Sequence, residues 1–383
     1  LLLGVESCDP IGAPDAFQCF TILDPYVGGG SWSRGNFHMH SRHSDGAYAA
    51  VDLARQYAAE GYAVLCISDH NSYGDQDGGI AAGLQTDSTV HDWNGDGRLH
   101  ADRRFGSGVE AYVQDWTRPT PPWSVETWLQ PGGFEEDAAP VVIPGAEITR
   151  GGDHVLVIGH PPGPIEAPNS DLRALARARA AGGFVVLAHP GAWNRDPTRL
   201  PRTLDLGLFD ALEIMNGLLL QEGAEADATP LWDALLASGV RLWGMANDDS
   251  HTWVGAGEAE PFTAYNWILT AQPTQAGYLQ ALHRGAFYGS TGLRFEVLGV
   301  ADGVVQVVAP GAETLRFIGA WGRVLFEAHG ESAGYAIQGT EGYVRVEAVG
   351  DALDGAAAAP SAWSQPFYIE NAACDAPGSR RVE

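Results

Sequence analysis

Between residues 36 and 290, short apolar runs alternate with longer amphipathic stretches. The runs Asn36–His40, Tyr62–Ser68, Val141–Thr149, His154–Gly159, Phe184–Ala188, Ala211–Met215, Arg241–Ala246 and Phe262–Leu269 have the length and composition of buried strands. The stretches Ala47–Glu60, Asn169–Ala181, Pro230–Ser238 and Thr274–His283 carry helical periodicity. Gly61, Gly182 and Gly239 follow three of them, where a helix commonly stops in a left-handed turn. Repeated strand–helix units predict an α/β fold with a mostly parallel sheet, and their number suggests a barrel.

The pattern changes after residue 290. Phe295–Val300, Val304–Ala309, Thr314–Ala320, Arg323–Ala328, Tyr343–Val349 and Trp363–Glu370 are short β-type runs separated by Gly and Asp. They predict a small C-terminal antiparallel β domain, sandwich-like, over 291–383. Residues 1–34, rich in Gly, Pro and Asp, read as an irregular arm. Residues 72–140 are too long for an ordinary connection and read as an insertion, of the kind that walls a substrate site.

The polar residues that end these runs carry the chemistry. They are His38, His40, Asp45, Asp69, His70, Glu147, His154, His189, Asp249 and His251. Along a strand, positions i and i+2 face the same way, so His38 and His40 address one point, as do Asp249 and His251. Imidazole and carboxylate together suit zinc, manganese and iron. A packed core has no use for so many polar groups. The set therefore predicts a multinuclear metal site that performs hydrolysis. Glu213 also ends a strand and is a candidate partner behind the ligands, as is Asp69. His160 rivals His154. Arg42, Arg150 and Arg195 follow these motifs and could grip a phosphate.

These motifs together resemble the polymerase and histidinol phosphatase (PHP) superfamily. The run from His38 to Gly46 looks like its first motif and Ser68-Asp69-His70-Asn71 its second. Gly145-Ala146-Glu147 with His154 resembles the third, and Asp249-Ser250-His251 the last. The C-terminal module is similar, more weakly, to that of exported, carbaryl-hydrolase-like members. The resemblance implies a distorted (β/α)7 barrel over 35–290 with two or three divalent metals at its strand ends. It implies one ion on His38, His40, Glu147 and Asp249, a second on Glu147, His154 and His189, and a third on Asp45, His70 and His251. Asp45 stands where many members have histidine. The implied catalytic groups are Asp69, Glu147 and Asp249. The implied nucleophile is a metal-bridging hydroxide acting on an ester, most directly a phosphomono- or phosphodiester. A carboxyl-ester or carbamate hydrolase and a non-catalytic glycan-binding module are the alternatives.

Charge narrows the partners. Asp and Glu total 48 against 22 basic residues, all arginine, for a net charge of -26. Such a surface disfavours a nucleic-acid duplex or an anionic membrane, but a small anionic ester can still bind where metals supply positive charge. A GC-rich coding sequence or a high-salt habitat explains the missing lysines equally well. Cys8, Cys19, Cys66 and Cys374 form no C-x-x-C pair, which argues against a thiolate zinc site. Cys8–Cys19 and Cys19–Cys374 disulfides both fit an oxidising compartment, and the first residues, Leu1–Cys8, fit the tail of a removed export signal but are too short to count as one. Asp92, Asn94 and Asp96 resemble the opening of a calcium loop, although Arg103 stands where its last acid belongs. Trp116, Trp123 and Trp128 lie in the same insertion and suit stacking or packing.

Overall fold

The computed structural model describes residues 4–10, 17–41, 46, 50–70, 140–148, 154–159, 171–190, 207–251, 261–352 and 357–372. In chain order it begins with β1 (Gly4–Pro10), β2 (Phe17–Leu23), β3 (Ser31–Asn36), α1 (Ala50–Ala59), β4 (Tyr62–Leu65), β5 (Val141–Val142), β6 (Gly145–Ile148) and β7 (Val155–Ile158). There follow α2 (Asp171–Ala180), β8 (Phe184–Leu187), β9 (Ala211–Asn216), α3 (Gly217–Glu222), α4 (Thr229–Ala237), β10 (Trp243–Asn247), β11 (Tyr265–Thr270), α5 (Gln275–Arg284) and β12 (Phe287–Ser290). The rest is β13 (Val297–Ala301), β14 (Val304–Val308), β15 (Ala312–Gly319), β16 (Arg323–His329), β17 (Ser332–Ala336), β18 (Tyr343–Gly350), β19 (Ser361–Trp363) and β20 (Phe367–Ala372).

The chain is a mixed α/β protein with three sheets among the described residues. One follows the order β10-β9-β8-β7-β6. The largest runs β1-β2-β20-β18-β19-β12-β11-β3-β4-β5, with β15 and β16 joined at β18. The third is β13-β14-β17. Among the described residues no continuous ladder closes a sheet on itself. Two isolated parallel bridges nevertheless join the first two sheets beyond their strand ends, Met39 to Ser250 and His70 to Glu147.

Several details depart from the sequence expectation. The expected strand Val141–Thr149 is two strands in different sheets, because Pro144, which lacks an N–H for the ladder, separates β5 from β6. β7 pairs antiparallel with both β6 and β8 rather than joining a parallel sheet. Its connection from β6 is too short for a crossover helix, so the chain must double back. Residues 1–34 are not irregular where described: β2 pairs with β20 and buries Phe20 and Ile22 on its alternate positions. The C-terminal strands are antiparallel as expected, but β19 pairs with both β12 and β18, which continues the α/β part's own sheet into them. The insertion 72–140 lies outside the described residues except for Pro140.

Helix ends follow local chemistry. Thr274 accepts a hydrogen bond from Gly277 N at the start of α5, and Gly285 closes it in the left-handed region. A buried ion pair fastens β18 to α4. Arg345 Nε and Nη2 donate to the two Asp233 oxygens at 2.8 and 2.6 Å, and the Tyr343 hydroxyl donates to Asp233 Oδ1 at 3.0 Å. Arg345 also lies over the Trp232 ring at 5.3 Å.

Candidate metal centre

The backbone brings the two His/Asp motifs together. Beyond β3 and β10 the two segments run side by side, with Asp249 N donating to His38 O and His40 N to Ser250 O, each at 2.9 Å. On the other side Glu147 N donates to Ser68 O at 3.0 Å, beside the His70–Glu147 bridge. The tips of β3, β4, β6, β8 and β10 thus converge. Every polar side chain gathered there is at least nine-tenths buried.

Glu147 is the centre of the cluster. Its Oε2 lies 3.3 Å from His38 Nε2, 3.2 Å from His40 Nε2 and 2.9 Å from His70 Nδ1. Its Oε1 lies 2.8 Å from His154 Nδ1 and 3.1 Å from His189 Nε2. Asp249 Oδ1 stands 3.1 Å from both His38 Nε2 and His40 Nε2. Three groups hold ligand atoms within 4.8 Å of one another: His38, His40, Glu147 and Asp249; His70, Glu147 and His154; and His40, His70 and His251.

The donor set fits divalent metal. Ligand atoms about 2.0–2.1 Å from a tetrahedral ion stand roughly 3.3 Å apart, close to the 3.1–3.3 Å separations around His38, His40, Glu147 and Asp249. His38 Nε2 and Glu147 Oε2 are buried 3.3 Å apart without a well-directed hydrogen bond to satisfy either, which is costly without a further partner.

The local fields are strong. Burial disfavours the charged form of His38, yet Asp249, Glu213 and Glu147 hold its pKa well above the ordinary imidazole value. Burial pushes His154 the other way, to about 4, against the pull of Glu147. Burial raises Glu147, but His70, His38 and His154 together outweigh it and hold that carboxyl well below its usual range. Asp249 is likewise held low, by His38, His40, His251 and His189. His189 and Asp249 both adopt positive φ, of 24° and 54°. That conformation is strained in residues other than glycine, and such strain gathers at functional sites.

Behind the ligands lies a network of amides and carboxylates. Asp69 accepts from Ser41 N at 2.6 Å and Ser41 Oγ at 2.7 Å, which fixes the turn after His40. Asp248 accepts from the backbone N–H groups of Phe262, Thr263 and Ala264, and from the Tyr57 hydroxyl. Glu213 bonds the ring of His38 and the backbone of His189. Asn216 donates to both Glu213 Oε2 and Asp249 Oδ2. Sequence reasoning passed over Asp248, Asn216 and Asn247; the signal available was a polar residue closing a buried apolar strand.

Eight of the nine expected ligands meet in one cluster: His38, His40, His70, Glu147, His154, His189, Asp249 and His251. His70 joins Glu147 and His154 as well as His251, and His40 joins His70 and His251. Asp45 lies outside the described residues, as do His160, Arg42, Arg150, Arg195, the calcium candidates Asp92, Asn94 and Asp96, and Trp116, Trp123 and Trp128.

No protein-family model matches the chain, and no curated protein does. Solved structures give distant likenesses. One is a two-domain protein from Bacteroides vulgatus containing a predicted PHP-like metal-dependent phosphoesterase. It is 14% identical, with 94% of this chain and 100% of that chain covered and a TM-score of 0.45. Another is an amidohydrolase from Chromobacterium violaceum with bound sulfate and no metal. It is also 14% identical, with 59% and 89% covered and a TM-score of 0.33. Scores this low assign neither fold nor function, so the functional reading rests on the side chains.

Proposed function

We propose that this protein is a metal-dependent hydrolase acting on a small ester, with a phosphomono- or phosphodiester as its substrate class. The observation that carries the reading is Glu147, a fully buried carboxylate whose two oxygens lie within 2.8–3.3 Å of five imidazoles. Solvated carboxylates do not collect histidines in this way; groups that share metal ions do. In this reading His38, His40, Glu147 and Asp249 hold one ion. Glu147, His154 and His189, joined by His70, hold a second, and His70 and His251 with Asp45 hold a third. Divalent zinc, manganese or iron there would supply Lewis acidity and a nucleophile at neutral pH.

The chain's own groups do the rest. Glu147 and Asp249 stay ionised and carry the negative charge that divalent cations require. His154, neutral at pH 7, offers a lone pair without first losing a proton. Asp69 holds the His40 turn through Ser41 and acts by position. The strands β3, β4, β6, β7, β8, β9 and β10, bridged at Met39–Ser250 and His70–Glu147, are the distorted (β/α)7 barrel in this reading. A carboxyl-ester or carbamate substrate is the second reading. A metal-activated hydroxide attacks a carboxyl or carbamoyl carbon as readily as a phosphorus centre.

A panel of phosphomonoesters, phosphodiesters, carboxyl esters and carbamates, assayed with zinc or manganese and again with chelator, tests the proposal. Chelator-sensitive turnover of phosphate esters supports it. Turnover confined to carboxyl esters selects the second reading, and none on any substrate favours a glycan-binding module. An exported location is part of the proposal, supported by the β1–β2 register, which sets Cys8 opposite Cys19. Peptide mapping without reductant should recover those two cysteines linked. Free thiols at both positions in protein secreted from an expression host would remove that support.

A further inference from the structure

Glu213 differs from the other carboxylates of the cluster in what its oxygens do. It sits on β9, 1% exposed, and its two oxygens accept four hydrogen bonds. Oε1 takes His38 Nδ1 at 3.0 Å and Asn247 Nδ2 at 3.0 Å. Oε2 takes His189 N at 2.8 Å and Asn216 Nδ2 at 3.0 Å. With four donors on two oxygens, Glu213 has little capacity left for a cation. Glu147 Oε2, by contrast, makes no hydrogen bond. Two buried carboxylates flank the same imidazole: both oxygens of the one behind it are taken by donors, whereas Oε2 of the one that faces it is not.

We propose that Glu213 is a positioning residue that keeps a proton on His38 Nδ1, so that Nε2 is the atom His38 offers to a metal. The same carboxylate holds the His189 backbone at its strained φ of 24° and, through Asn216, steadies Asp249. One side chain on β9 therefore sets three members of the cluster. A histidine bonded through one ring nitrogen to a carboxylate has its other nitrogen oriented and made more basic, and losing such a partner typically costs 10–100-fold in metal affinity. The inference rests on the metallohydrolase reading and concerns ligand geometry within it.

The Glu213→Gln substitution is the sharp test. Glutamine has one acceptor oxygen where Glu213 has two. Either its amide N–H group faces His38 Nδ1 and Asn247, or it faces His189 N and Asn216. Zinc affinity is measured by competition against a chromophoric chelator, in the intact chain, for wild type, Glu213→Gln, His38→Ala and the double variant. Circular dichroism of the metal-free proteins checks folding. Long-range proton–nitrogen spectra follow the His38 ring before and after zinc.

The expected result is a 10–100-fold loss of zinc affinity in Glu213→Gln. That loss should shrink markedly in the His38→Ala background, because the effect passes through His38. The Nδ1 proton of His38 should persist when wild type takes up zinc. Should the Glu213→Gln variant misfold, the wild-type spectrum still decides: zinc that displaces the Nδ1 proton overturns the proposal. Where the Glu213→Gln spectrum shows the His38 Nδ1 proton lost, equal zinc affinity in wild type and variant, or equal losses in both backgrounds, overturns this role and leaves the metal reading standing; where the amide oxygen still accepts from His38, the wild-type spectrum alone decides. Wild type that takes up no zinc overturns both.

Discussion

His40 Nε2 stands 3.1 Å from Asp249 Oδ1 across 209 positions of sequence. Nothing local unites these two residues. They meet because the chain beyond β3 runs beside the chain beyond β10, joined by Asp249 N to His38 O and His40 N to Ser250 O. The cluster is therefore as precise as that strand pairing, and changes that disturb strand position should reach the cluster without touching a ligand.

Gly145 tests this. A Cβ there would lie 2.3 Å from Cys66 Sγ and 2.6 Å from Val157 O. Gly145→Ala must push β6 away from β4 or β7, and β6 carries Glu147. Overpacking of this kind typically costs about 1–3 kcal/mol. The variant should lose that much stability in urea and bind zinc more weakly than wild type. Unchanged zinc binding at reduced stability would show that Glu147 is not positioned by the strand.

His154 contributes to the acid limb of the metal-free protein, alongside the lowered carboxyls of Glu147 and Asp249. Its pKa falls from 6.5 to about 4 on folding, mainly through burial. Between those values the unfolded chain takes up a proton that the folded protein refuses, so stability falls as pH drops from 6.5 toward 4. The contribution approaches about 3 kcal/mol. His38 and His189, with raised values, act in the opposite direction: their stabilisation is present at low pH and lost as pH rises through those raised values. Comparing chelated wild type with His154→Asn between pH 4.5 and 6.5, above the range in which Glu147 titrates, reads the His154 contribution. The variant should lose less stability than wild type over that interval; parallel pH curves would refute the assignment.

Much of this site was legible in the sequence. Histidines and carboxylates closing apolar runs are conspicuous, because a buried strand end has no other reason to carry them. The partners of each residue were less legible. That His70 meets Glu147, and His40 meets His251, depends on how two sheets face each other, which no local pattern encodes. Glu213 lies in Ala211–Asn216, a run buried on both faces that has no alternation to reveal direction. β12 (Phe-Tyr-Gly-Ser) and β17 (Ser-Ala-Gly-Tyr-Ala) are short, contain glycine and left no clear strand signal. α3 begins at a glycine and starts only because Asn216 caps Leu219 N.

The joint between α4 and β18 makes a separate prediction. Arg345 and Asp233 are 2% and 4% exposed in their side chains. Asp233→Asn leaves buried Arg345 only its 3.7 Å contact with Glu347, Arg345→Met leaves Asp233 without its cation, and each should cost about 3–5 kcal/mol in thermal or urea unfolding. The combination Asp233→Leu with Arg345→Met removes both charges and should recover most of that loss. Additive losses in the double variant would mean that the pair is not a coupled unit.

The measurement that bears most directly on the central claim is metal content per chain. Wild type and Glu147→Ala, purified without added metal or chelator, go to plasma mass spectrometry alongside circular dichroism. The metal-centre account predicts stoichiometric zinc, manganese or iron in wild type. It predicts a loss in folded Glu147→Ala larger than the roughly 10–100-fold that a partner behind the ligands would cause. Wild type that stays metal-free after attempted reconstitution with each of these ions, or Glu147→Ala that retains the full complement, would contradict it.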